Sequence, residues 1–115
     1  MDGAFAKFRV HALQRIQQRG VRMEELSLVL SERDLEVPVG SGCTALTISR
    51  GRRRELISEG YPPSVVDRTV GLIVVESAEG EIVTVLRSFG QRGRRYRAQF
   101  RSRQTMAASS LSNAA

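Results

Sequence analysis

With 115 residues, 41% of them apolar, the chain has material for one hydrophobic core and is too short for two. Its one cysteine, Cys43, and one histidine, His11, exclude an internal disulfide and a zinc site of the multi-cysteine kind. The net charge of +6 is uneven: residues 1–32 carry 5 basic and 4 acidic groups, residues 33–90 carry 7 and 8, and residues 91–115 carry 6 and none.

The chain therefore reads as a near-neutral folded part, residues 1–90, followed by an arginine-rich tail, residues 91–115. The pI of about 10.9 describes the tail and says little about the folded part. No run approaches the ~20 apolar residues a membrane-spanning helix needs, and the opening MDGAFAKFRV has no apolar signal core. A cytoplasmic protein with no membrane partner is expected. The carboxylates are scattered or merely adjacent, as in Glu24 and Glu25, so neither a metal site nor a cofactor is expected.

Residues 9–19 read as a helix whose apolar arc is Val10, Leu13 and Ile16, with Ala12 beside it and Gly20 as the C-terminal cap. A second helix is expected over 22–32. Met23, Leu26, Val29 and Leu30 recur there at helical spacing, and Glu24 and Glu25 lie in the first turn, where the dipole favours them. From residue 35 the period changes to two: Leu35, Val37 and Val39, a GSG turn at 40–42, and TALTIS at 44–49 predict an antiparallel hairpin.

Residues 50–60 predict a short helix. In YPPSVVDRTV, Pro62 and Pro63 exclude a central strand or a helix interior, so this stretch reads as a connecting arm. The runs 71–77 and 81–87, with a tight turn between them, predict a second hairpin. Beyond Phe89 the chain is basic, with Tyr96 and Phe100 interleaved, and it ends in a small, polar stretch with the composition of a disordered segment.

On a helix, His11, Arg15 and Arg19 form a slowly drifting row, opposite the expected apolar arc. Guanidiniums hold phosphate and stabilise developing charge, and an imidazole moves a proton near neutral pH, so the row suits a phosphodiester. A solvent-facing helix shows the same pattern with no function attached. The clusters Arg50, Arg52, Arg53, Arg54 and Arg92, Arg94, Arg95, Arg97, Arg101, Arg103 are the main basic features. With Arg87, and with Tyr96 and Phe100 offered for base stacking, they are the candidate nucleic-acid contacts. An acidic protein partner for the tail is the competing reading. Cys43 has no general base near it in sequence and reads as a small buried hydrophobe.

The run HALQRIQQRGVRMEELSLVL resembles the opening signature of the DUF4258 family of small bacterial domains: a His-Ala pair, an arginine four residues after the histidine, an Arg-Gly pair, then an aliphatic residue and a second helix. EGEIVTVLR resembles that family's closing strand. Such domains are similar to the RelE and barnase-like group of metal-independent ribonuclease toxins. The resemblance implies an α+β fold, with two N-terminal helices packed on a curved antiparallel sheet of about four strands. It implies a toxin-type endoribonuclease with His11, Arg15, Arg19 and Thr84 as catalytic residues and RNA as substrate; an acidic antitoxin or immunity protein is the competing partner for the basic tail. A non-catalytic nucleic-acid-binding module is the alternative. So is a protein-binding regulator encoded on a mobile element. Residues 51–69 and the arginine-rich tail depart from the family pattern.

Overall fold

The computed structural model of the chain describes residues 7–88, 96 and 98–101. A two-residue strand, β1 (Lys7–Phe8), precedes helices α1 (Val10–Gln18) and α2 (Met23–Glu32). Strands β2 (Leu35–Gly40) and β3 (Cys43–Thr47) follow, then helices α3 (Arg50–Ser58) and α4 (Pro63–Arg68), then strands β4 (Leu72–Glu76) and β5 (Glu81–Arg87). The sheet order is β1-β5-β4-β3-β2. Strands β2 to β5 are antiparallel, and β1 adds a short parallel pairing to β5. The fold is α+β on a four-strand antiparallel sheet, as expected.

Local chemistry explains the joints. Helix α1 ends in a Schellman motif: Gly20 takes φ 62°, its N–H donates to Gln17 O at 3.3 Å, and Val21 N–H donates to Ile16 O at 3.0 Å. Val21 is buried there with Ile16, the apolar contact that accompanies this motif. The β2–β3 loop is two residues, Ser41 and Gly42, with φ 55° and 74°, which is the pair of signs a type I′ hairpin turn requires. Strand β2 forms one edge of the sheet and carries Pro38, which has no N–H to offer.

The apolar arc expected on α1 is corrected by the structure. Val10 and Leu13 are 71% and 51% exposed, and the buried stripe is Ala12 and Ile16, one turn apart. Helix α1 lies against β5, and the small Ala12 side chain lets the backbone approach the sheet closely. The segment 61–70 is not a connecting arm. Pro63 is the first residue of α4, where a missing N–H costs nothing, and Val66 is fully buried in the core.

The sheet is covered on both faces. One core holds Ala12, Ile16, Leu26, Val29, Leu56 and Val66 of the helices against Leu46, Leu72, Val74, Ile82 and Val85 of the sheet. The second holds Val37, Ala45, Ile73, Val75 and Leu86, with Phe100 from the helical residues 98–101 packed on them and Tyr96 beside it. The core therefore extends past residue 90. Among the described residues no helix is long and apolar enough to cross a membrane.

Candidate nucleic-acid interface

At one end of the sheet, strand β3 runs through Ile48 into Ser49, which caps α3: its Oγ accepts from Arg52 N–H at 3.1 Å. Ser49 N–H in turn donates to Asp34 Oδ1 at 2.7 Å, and Ser49 Oγ–H donates to Asp34 Oδ2. This pins the start of α3 to the α2–β2 junction. The first turn of α3 contains no acid and instead carries arginines, the opposite of what the helix dipole favours.

Arg50 and Arg53 lie three residues apart on α3 and face an open cleft of about 350 Å³. Thr47 and Ile48 at the end of β3 line it, as do Gly71 and Ile73 at the start of β4. Ser88, just past β5, and Phe100 and Arg101 complete the lining. Hydrogen bonds hold the frame: Thr47 Oγ1–H donates to Leu72 O at 2.7 Å, and Ser88 N–H donates to Gly71 O at 2.8 Å.

The two α3 arginines differ. Arg53 is partly buried and its Nη1 donates to Ile48 O at 2.6 Å. Burial lowers its pKa; Asp34 and Asp67 act against that, and Arg50 adds to it. Arg50 is exposed and forms no side-chain hydrogen bond or ion pair among the described residues. Arg50 disfavours the charge on Arg53 in this partly desolvated cleft, an arrangement that a bound anion would relieve.

Other arginines are already committed. Arg52 lies 2.8 Å from Glu55, 2.9 Å from Glu59 and 3.4 Å from Glu32, and its pKa is raised, first by the hydrogen bonds to Glu55 and Glu59. Arg87 Nη1 donates to Arg68 O at 2.7 Å, and its Nη2 lies 3.4 Å from Glu25, a carboxylate only 2% exposed. Arg54 is exposed on α3. Phe100 is buried, so its ring is a wall of the cleft and not an exposed stacking platform. Arg92, Arg94, Arg95 and Arg97 lie outside the described residues.

No protein-family model matches the chain, and no curated protein or solved structure matches it.

Of the residues expected to act together, His11 and Arg15 share the exposed side of α1, and Thr84 is not brought to them. His11 and Arg15 are exposed on α1, with Arg15 Nη1 donating to Gln18 Oε1 at 3.1 Å. The row drifts by roughly 40° per step of four, which by Arg19 carries it into partial burial. Thr84 sits opposite Val75 in the ladder, so it shares the sheet face of Val75 and Phe100 and turns away from α1. Helix α1 starts at the other end of β5 from the cleft, because Arg9 N–H donates to Ile82 O at 3.0 Å. Six residues of strand separate Ile82 from Ser88, roughly 20 Å. Among the described residues no three of His, Cys, Asp and Glu come together as a metal site.

Sequence reasoning missed Asp34, Thr47, Ile73, Gly71 and Ser88 as parts of this site. One signal was present, because Ser49 directly before an arginine-rich helix is an N-cap pattern that places the first turn, and with it Arg50 and Arg53. Nothing local marks Gly71 or Ser88, which reach the cleft only through strand pairing.

Proposed function

We propose that this domain is an RNA-binding module that grips phosphate in the cleft at the start of α3. The observation that supports it is the convergence of Arg50, Arg53 and Arg101 on one concave site. The resemblance to the ribonuclease-toxin group favours RNA as the polyanion, and the arginines of residues 91–103 add positive charge to the chain. Binding is favoured over cleavage because the only histidine stands at the far end of β5 from the cleft. Fluorescence anisotropy with labelled RNA across a salt series tests the proposal. Arg50→Gln is expected to weaken binding and to reduce the salt slope by roughly 0.7, the contribution of one single-strand phosphate contact. An unchanged slope removes the cleft from the interface.

Cleavage is the second reading, and the exposed pair His11 and Arg15 favours it. RNA incubated with the protein in excess chelator separates the two: an intact substrate supports binding alone, and fragments that disappear with His11→Ala support the nuclease.

A further inference from the structure

We propose that Arg68 is a second phosphate contact, and that the strand held in the cleft crosses the end of the sheet to reach it. This rests on the RNA-binding reading and gives the bound strand a path. Arg68 closes α4 three residues before Gly71, so at most about 11 Å of chain separates it from the cleft. Its neighbour Asp67 acts on the charge of Arg53, which sets the end of α4 beside the cleft. Arg87 donates to Arg68 O at 2.7 Å and shares the sheet face of Val85 and α2, whereas the next residue, Ser88, lines the cleft. The paired strand ends Gly71 and Ser88 are therefore flanked by two groups of guanidiniums, Arg50 and Arg53 in the cleft and Arg68 and Arg87 beside α2.

The charges of the second group do not balance. Glu25 is a single carboxylate, buried, and it faces two guanidiniums, Arg87 at 3.4 Å and Arg68 at 3.9 Å. Arg87 uses Nη1 on Arg68 O and Nη2 on Glu25. Arg68 has only the 3.9 Å ion pair through Nε and no side-chain hydrogen bond among the described residues, and its side chain is 40% exposed. The contact at Nε leaves the two Nη groups, the fork that takes two oxygens of one phosphate. Two neighbouring anion receptors suit a chain of phosphates better than a small ion: once one phosphate of a strand is held in the cleft, the next is presented to Arg68 at high effective concentration.

Anisotropy of the full chain with a labelled single-stranded RNA, read across a salt series, tests the path. Arg68→Gln is expected to weaken binding about fivefold and to lower the salt slope by roughly 0.7, and Arg68→Lys to restore the slope. Arg9 is the matched control, with a similar ion pair, 3.7 Å to Glu81, at the other end of β5. Arg9→Gln removes the same charge and should leave the slope unchanged and the affinity within about twofold. Arg50→Gln combined with Arg68→Gln should lower the slope by roughly 1.4, as two separate phosphate contacts require. Each single variant should melt within about 4 °C of the parent, because exposed ion pairs contribute little to stability. If Arg68→Gln acts no differently from Arg9→Gln, or if the double variant matches Arg50→Gln alone, the second contact is overturned while the cleft keeps the support of Arg50→Gln. If no variant changes the slope, the RNA reading of the cleft falls together with the path.

Discussion

Arg87 and Glu25 meet at 3.4 Å across 62 positions of sequence, tying the end of β5 to the first turn of α2. Arg68 approaches the same carboxylate at 3.9 Å from α4. The pair is asymmetric, since Glu25 is 2% exposed and the Arg87 side chain 27%. Removing Arg87 leaves the buried charge only the longer contact to Arg68, whereas removing the charge on Glu25 leaves arginines that can turn to water. Arg87→Met should cost about 3 kcal/mol and Glu25→Gln about 1 kcal/mol. Urea unfolding of both variants checks the order, and a larger loss for Glu25→Gln would contradict it.

Phe100 is buried on the second sheet face with Ile73 and Leu86. Phe100→Ala is expected to cost about 3 kcal/mol, the usual scale for emptying an aromatic site in a core. A chain ending at residue 90 should lose at least as much, because it also removes Tyr96. If that truncated chain unfolds at the same denaturant concentration as the full one, the second face does not need this cover.

Arg52 and Arg53 are neighbours in sequence with opposite duties. Arg52→Gln breaks contacts to Glu32, Glu55 and Glu59 and should lower the melting temperature while leaving RNA affinity within about twofold. Arg53→Gln should weaken RNA binding severalfold, about 1 kcal/mol or more for a lost charge-assisted contact. Calorimetry and anisotropy on the same two proteins read out both, and identical effects on affinity would refute the assignment.

Tyr61 donates its hydroxyl to Glu32 at 3.3 Å, and Glu32 raises the phenol pKa above its ordinary value, first through its charge and then through that bond. A raised folded-state pKa means stability that is fully present below the unfolded value and is lost as pH climbs through the folded one. In a Tyr96→Phe background, which leaves one tyrosine, absorbance should show Tyr61 ionising at a higher pH than in the same protein carrying Glu32→Gln. Coincident titrations would show that the contact does not persist in solution.

The strand runs 71–77 and 81–87 were legible because period-two hydrophobicity and a tight turn agree there, and β4 and β5 follow them closely. Helices α1 and α2 were legible from apolar residues at helical spacing and the glycine that ends α1. The buried stripe of α1 was not, since Ala12 carries little hydrophobic signal while Val10 and Leu13 carry much. Helix α4 was hidden by its prolines, which mark a break in the interior of a helix but a start at its first position. At the candidate site, four arginines within five positions look alike, and only α3's orientation separates Arg50 and Arg53 from Arg52. The link from Glu25 to Arg87 has no local signature at all.

Strand β2 lies at the sheet's border with Glu36 and Pro38 on it, and that has a consequence for how the protein behaves in crowded solution. An open strand is a template on which another extended chain can add, the first step towards fibrils or exchanged dimers. Proline withholds one backbone donor from any incoming strand, and the glutamate would bring like charges together in a self-paired copy. Growth from this border is therefore blocked by two residues that contribute nothing to either core. Pro38→Thr would restore the donor, and the resulting protein is expected to scatter light increasingly with concentration and time where the parent stays clear.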